Sequence, residues 1–313
     1  MASMTSKRCH LYVNDPTHVF DQGLKVEAER IAGELTREGF PIQVELRYAR
    51  GNELAQSQAI EADRRADRPP DLYVIIPIDQ DSVYGLLRQI LGAQPGATCV
   101  FLHQPLASGL RAERLEWGAR LFSVAADQVE IGRLQARQLA ALLPGRAGSV
   151  LYVQGRENSY ATRHRLKGVL EEFGKIPGMK LNGFRVFGDW SAASVKPAVD
   201  NWMHLGGRLE WVDATGAQSD DMAIALAAIV REQGRELPVV GVDGLASGKQ
   251  AVDAGVLAAT VVQPLAIGHA LRVFRELCAG SAKVVPEDGN IQLKPESYPP
   301  LEKLQPRAVR RAG

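Results

Sequence analysis

The stretch VVGVDGLASGKQAVDAGVLAATVVQP, Val239 to Pro264, opens with the β-branched run Val239 to Val242, which is stopped by the Val-Asp-Gly turn at Asp243 and Gly244. A helix follows, and the Gly-x-Leu-Ala-Ala-Thr run from Gly255 returns to extended chain before Gln263 and Pro264. Strand, helix and strand in direct succession make the crossover unit of a parallel sheet.

The same alternation extends outward. Val150 to Val153, Gly183 to Phe187 and Leu209 to Val212 are strand candidates, separated by helices such as Arg163 to Glu172 and Asp220 to Gln233. Nearer the N-terminus, Cys9 to Val13 runs into Asn14, Asp15 and Pro16 and then into an amphipathic stretch from Gln22 to Glu38, closed by Gly39 as a C-cap. Ile42 to Tyr48, Leu72 to Ile76 and Cys99 to Leu102 are three more strands, the last placed after the break at Pro95 and Gly96. The pattern predicts an α/β fold of two similar, doubly wound parallel-sheet lobes, built without a clear internal sequence repeat.

Bulk properties set the bounds. A chain of 313 residues can form two medium lobes with substantial cores. A formal charge of +1 and an apolar fraction of 45% exclude a disordered or nucleic-acid-coating protein. The basic run Arg307, Arg310 and Arg311 reads as a solvated end. Cys9, Cys99 and Cys278 cannot all pair with one another and read as buried free thiols. No Cys/His cluster has zinc-ligand spacing, so neither metal nor cofactor is expected. No stretch approaches the ~20 apolar residues of a membrane span. The opening MASMTSKRCHLYV lacks the apolar core of a secretion signal. Both locations stay open: the periplasm or cell envelope if a signal has been removed, the cytoplasm otherwise.

In open parallel sheets, ligands sit outside the carboxyl ends of the strands, so polar residues just after strands matter most. These are Asn14, Asp15, Asp79, His103, Gln104, Gln154, Arg156, Thr215, Gln218 and Asp243. An Asp in such a place also serves as a helix N-cap, worth ~1 kcal/mol, and Asp79 is read that way.

The order of elements in Val239 to Pro264 resembles the type I periplasmic binding proteins, in particular their ribose-binding branch, and the related ligand-binding domains of lac-repressor-type regulators. AQSDDMAIAL, Ala217 to Leu226, and the segment Gly155 to Gly168 with Arg163 and Arg165 are similar too. The resemblance covers about Arg8 to Leu293. It implies a polypeptide that crosses between lobes three times, near Ala126, Gln263 and Gly289. The lobes would then be residues 7–125 with 264–289 and residues 126–263 with 290–313, joined by a three-strand hinge and holding ligand in the cleft.

The resemblance also implies a site. Asp243 would accept hydrogen bonds from two adjacent ligand hydroxyls, with helix capping as its alternative role. Arg163 would donate from its planar fork, while Arg165 reads as a solvated or ion-paired helix residue. Gln263 would bond ligand from the second crossing or make a hinge-local hydrogen bond. Trp190, in GDWSA, would cover an apolar sugar face, and Phe20 would close the other side or act as a hydrophobic staple. Asn14 completes the set. His103 and Gln104 stand where the ribose pattern has Asp-Arg, and Ser219 stands where it has Asn. Ribose is disfavoured by these exchanges; another pentose or hexose, a polyol, or a modified or furanose-like sugar is expected.

The implied function is that of a monomeric solute-binding protein that delivers its ligand to an ABC-type membrane permease and contacts no nucleic acid. A ligand-sensing domain of a signalling system or transcription regulator is the alternative, although a first strand near residue 8 leaves no room for a preceding helix-turn-helix in this sequence. An enzyme is not expected: the sequence has no Gly-x-Ser-x-Gly elbow, no P-loop, and no Gly-x-Gly-x-x-Gly after its first strand.

Overall fold

The apolar runs become parallel strands buried on both faces, which is why they read as nearly continuous hydrophobic sequence. The computed structural model describes residues 5–183 and 186–306. It falls into two units, Met1–Ala126 with Leu265–Leu293, and Asp127–Pro264 with Lys294–Gly313. The polypeptide therefore passes between units after Ala126, Pro264 and Leu293.

The first unit contains β1 (Lys7–Val13), β2 (Ile42–Tyr48), β3 (Leu72–Ile75), β4 (Thr98–Leu102), β5 (Leu121–Ala126) and β11 (Asn290–Leu293). All pair in parallel in the order β11-β5-β4-β3-β1-β2. Helices α1 (Val19–Arg37), α2 (Glu53–Arg64), α3 (Gln80–Ala93), α4 (Ser108–Trp117) and α10 (Ala266–Cys278) join or cover these strands. The second unit repeats the plan with β6 (Gly148–Val153), β7 (Met179–Leu181), β8 (Ala214–Ala217), β9 (Val239–Asp243), β10 (Ala259–Val262) and β12 (Glu296–Tyr298), in the order β12-β10-β9-β8-β6-β7. Only β12 runs antiparallel among these described strands. Its helices are α5 (Gln128–Ala141), α6 (Tyr160–Phe173), α7 (Val195–His204), α8 (Asp220–Glu232) and α9 (Ala246–Asp253). In each sheet the first strand of the unit lies between the second and the third, and the outermost place is taken by a strand from near the C-terminus.

Local chemistry sets several boundaries. Helix α1 ends in a Schellman motif: Gly39 at φ 88° donates its N–H to the Thr36 carbonyl, and Phe40 donates to Leu35. Phe40 then packs edge-on against Phe274 of α10. Asp79 caps α3 by accepting from the Ser82 N–H at 3.0 Å, the role its sequence position predicts.

Four expectations are corrected. Leu209–Trp211 forms a 3-10 turn rather than a strand, with Trp211 59% exposed. The strand is Ala-Thr-Gly-Ala at β8, whose small residues suit crowding: a Cβ on Gly216 would lie 3.1 Å from the Tyr152 ring. Of the expected strand Gly183 to Phe187, 184 and 185 lie outside the described residues; the described strand here is the earlier β7, and Phe187 makes a single parallel bridge to Gln154. The third crossing comes after Leu293 rather than near Gly289, because Asn290–Leu293 hydrogen-bonds along β5 and belongs to the first unit. Cys9 and Cys99 are buried free thiols, but Cys278, at the last position of α10, is exposed. Arg307, Arg310 and Arg311 lie outside the described residues.

Helices α5 and α6 approach so closely that each gives up a side chain at the contact. A Cβ on Gly132 would sit 2.0 Å from the Arg165 carbonyl oxygen, and one on Gly168 would sit 2.0 Å from that of Val129. Both obstacles are backbone, so the helices must separate to admit a methyl group. Gly132→Ala and Gly168→Ala are each expected to lower unfolding free energy by about 1–3 kcal/mol through overpacking, despite alanine's better helix propensity. Chemical denaturation midpoints check this.

Candidate functional site

In the first unit, the backbone leaving β1 is folded back by Asp21, in the first turn of α1. Its buried carboxylate accepts the N–H groups of Asn14 at 3.0 Å and Asp15 at 2.8 Å through one oxygen. This fixes the entry to α1 and buries the adjacent Phe20. The Phe20 ring meets His103 edge-on, with centroids 4.9 Å apart. His103 follows β4 in a left-handed conformation, φ 67°, with its N–H donated to the Val124 carbonyl at 3.1 Å. The two rings and Asn14 thus gather at the carboxyl end of this sheet. Asn14 Oδ1 is buried and accepts no hydrogen bond from the described residues. Gln104 donates its amide to the Pro77 carbonyl at 3.1 Å, which ties it to the segment after β3.

The second unit centres on a buried guanidinium, that of Arg165 on α6, which is 4% exposed. Its Nε donates to Gln128 Oε1 at 2.8 Å, Nη1 donates to the Gln218 carbonyl, and Nη2 donates to Gln263 Oε1 at 2.6 Å. The Trp190 ring lies over it, 5.5 Å from centroid to guanidinium carbon. Burial pulls the guanidinium below its ordinary pKa, while Asp243, Tyr152 and Asp220 push the other way. It stays charged, as arginine does in proteins.

A donor-only group dictates the orientation of its neighbours. Because Arg165 has no acceptor, Gln128 and Gln263 must both turn their oxygens toward it. Gln128 then donates from its nitrogen to the same Gln263 oxygen at 3.2 Å. Gln218 completes the frame by accepting the Gly155 N–H at 3.0 Å and donating to the Thr162 carbonyl at 3.2 Å. Trp190, at φ 81°, occupies the space a Gly155 side chain would need, since a Cβ there would fall 2.2 Å from its ring.

Asp243 ends β9 at φ 115° and is buried at 9% exposure. It does not cap the next helix, whose N-cap is Leu245. Its negative charge acts on both Arg165 and Asp220. Asp243, Arg165, Gln263 and Trp190 therefore form one electrostatic cluster: a cation, a carboxylate, an amide and an aromatic wall.

Two expectations change here. Arg165 is the buried arginine and Arg163 the exposed one. On α6, Arg163, Lys167 and Leu170 make an exposed stripe, whereas Thr162, Arg165, Gly168 and Val169 are buried, so helical periodicity already separates the two arginines. Ser219 is the N-cap of α8: its hydroxyl accepts from Met222 N–H at 3.3 Å and donates to the Trp190 carbonyl at 3.4 Å, so it supports the aromatic wall from behind. The sequence reading also missed Gln128. It belongs to a row of buried glutamines on α5 with Gln135 and Gln138, a pattern that imitates a solvated helix face. Two grooves of about 290 and 560 Å³ lie at the opposite, amino ends of strands, beside Lys7 and Asp71 and beside Gly148 and Trp211, and none of the cluster lines them.

A family model, the periplasmic binding protein domain, matches residues 13–268. The chain belongs to this family. Periplasmic binding protein domains are non-catalytic solute-binding modules. The sequence is 26% identical over 221 residues to a xylitol-binding protein of Mycolicibacterium smegmatis, covering 70% of this chain and 59% of that one. It therefore spans about three fifths of that relative's length. Among solved structures, a periplasmic solute-binding protein of Actinobacillus succinogenes with bound D-allose superposes with a TM-score of 0.79 at 17% identity, covering 93% of this chain and 97% of that one. The myo-inositol-binding protein of Caulobacter superposes with a TM-score of 0.74 at 21% identity, covering 94% and 93%. These two structures establish a shared fold of two similar parallel α/β sheets.

The two arginines give a direct contrast. Arg165→Lys keeps a charge but cannot reach three acceptors, and is expected to lower stability by roughly 1.5–3 kcal/mol or more, the worth of a hydrogen bond to a charged group. Arg163→Ala is expected to stay within about 0.5 kcal/mol of the parent, as for other exposed positions. Paired denaturation curves decide it.

Proposed function

We propose that this periplasmic binding protein domain captures a small, neutral, polyhydroxylated ligand, a sugar, polyol or cyclitol, and passes it unaltered to an ABC-type membrane permease. The observation that carries this reading is the Arg165 cluster. The charge of Arg165 is already opposed by that of Asp243, so the group has no surplus charge to neutralise an ionic ligand. A vicinal diol suits it: two hydroxyls donate to Asp243 while their oxygens accept from Arg165. Trp190 offers a flat apolar face to the C–H groups of a cyclic or linear polyol.

Asn14, Phe20, His103 and Gln104 are the first unit's ligand-facing groups in this reading, with Gln104 acting through the bond it already makes to Pro77. Arg165 takes the place expected of Arg163. The ligands named for the relatives, xylitol, D-allose and myo-inositol, are all uncharged polyols and support the class without choosing among its members. The likeness of Val239 to Pro264 to the ribose-binding branch fits the same class, and export to the periplasm follows from the proposed partner.

A thermal-shift screen against pentoses, hexoses, linear polyols and inositols tests the proposal. A ligand at 100 times its Kd adds about 2.7 kcal/mol to folded-state stability, a clear rise in melting temperature. The expected result is a hit among neutral polyols that Asp243→Asn removes. A panel in which only anionic compounds stabilise the protein would overturn it.

A further inference from the structure

Asp220 is the first residue of α8, directly after the N-cap, and its carboxyl is 3% exposed. One oxygen, Oδ2, accepts the Gly244 N–H at 2.8 Å, and Oδ1 lies 2.6 Å from the Thr260 hydroxyl. The fold reserves space for this carboxyl. A Cβ on Gly241 would fall 2.2 Å from Oδ1, and one on Gly248 would fall 1.8 Å from Oδ2. Gly244 is closed to side chains from another direction, because its Cβ would lie 2.6 Å from Val262 Cγ2.

The turn that Asp220 grips is the one that presents Asp243. At φ 115°, Asp243 occupies a conformation that residues with a Cβ rarely adopt, and such a residue persists only where its surroundings over-determine it. Its next N–H, that of Gly244, is held by Asp220, while Gln263 donates its own N–H to the Asp243 carbonyl at 3.0 Å. We infer that Asp220 is a positioning residue for Asp243, clamping the Gly244 amide and the Thr260 hydroxyl so that the strained turn aims the Asp243 carboxylate. The inference rests on the reading of Asp243 as a ligand group, and concerns how that group is held.

The clamp serves either form of the carboxyl, since Oδ2 accepts from the Gly244 N–H whether or not Oδ1 carries a proton. Burial raises the Asp220 pKa well above the usual carboxylate range, and the nearby charge of Asp243 raises it further. Charged groups acting on it include Asp243 of β9, Asp221 of its own helix and Arg165 of α6, while β10 brings the neutral Thr260 and α9 brings Gly248 against it. When protonated on Oδ1, Asp220 donates to the Thr260 oxygen, reversing that bond without moving either atom. An amide reproduces the arrangement, with its oxygen on Gly244 N–H and its NH2 on Thr260.

The test compares Asp220→Asn and Asp220→Ala in the full-length protein, by amide hydrogen exchange at Gly244 and by titration with xylitol, D-allose and myo-inositol. Asp220→Asn is expected to keep the Gly244 amide protected, and to bind within about threefold of the parent whichever of these polyols the parent binds. Asp220→Ala is expected to speed Gly244 exchange and weaken binding by at least about tenfold, the worth of a hydrogen bond to a buried group. Unchanged Gly244 exchange in Asp220→Ala overturns the clamp whether or not any polyol binds; silence of all three polyols with the parent protein counts against the ligand reading instead. Should Asp220→Ala fail to fold, Gly244 exchange in Thr260→Val, which removes the carboxyl's other anchor, decides: it is expected to speed up, and unchanged exchange overturns the clamp. An acid whose folded pKa is raised contributes stability that is full below its unfolded value of 3.8 and is lost as pH rises through the folded value. Asp220→Asn is therefore expected to gain in melting temperature over the parent from pH 4 to pH 8.

Discussion

A guanidinium taken out of water must be given acceptors, and the interior of the second unit is organised around giving them to Arg165. Desolvating such a charge costs several kcal/mol unless hydrogen bonds replace the lost water. Its three protein acceptors come from the start of α5, the residue after β8, and Gln263, just before Pro264 and the second passage between units. Segments far apart in sequence are thereby locked to one rigid, planar group. The glycine contact between α5 and α6 is what lets Gln128 reach it, since helices held farther apart would leave Nε without a partner.

Helix α5 extends the same logic along the sheet. Gln135 donates to the carbonyl of Ala217, which lies at the end of β8, and also reaches the carbonyls of Val240 and Gly241 in β9. Gln138 donates to the Thr260 carbonyl of β10 and to the Ser297 hydroxyl of β12. One helix lined with primary amides thus bonds carbonyls of three neighbouring strands in turn, and the sheet under it is stiffened by side chains rather than by solvent.

Much of this was legible in sequence where hydrophobic pattern and turn chemistry agreed. Val239 to Val242 followed by Asp-Gly read as a buried strand and turn, Gly39 as the end of α1, and Asp79 as a cap, because each signal is local. Strand β5 escaped notice because α4 runs into it through the 3-10 turn Gly118–Arg120, with no strong break between them. Strand β8 escaped because small residues carry little β signal, while the bulkier Leu209 to Val212 beside it carries more than its conformation warrants. Arg165 and the glutamines of α5 were hidden for a different reason. Polar side chains on a helix read as solvated, and only packing in three dimensions shows that these are turned inward and satisfied.

The connectivity of the first unit has a consequence for its biosynthesis. Its edge strand β11 and covering helix α10 are encoded after the whole internal stretch from 127 to 264. At about 5–20 residues per second, a ribosome spends roughly 7–28 s on those 138 residues. Throughout that interval β5 lacks its outer neighbour, Phe40 lacks Phe274, and the side of α1 that will receive α10 is uncovered. The nascent polypeptide carries an unfinished sheet edge and an apolar helix face while its second unit is made, and the late return of residues 265–293 must outpace any other strand that finds that edge first.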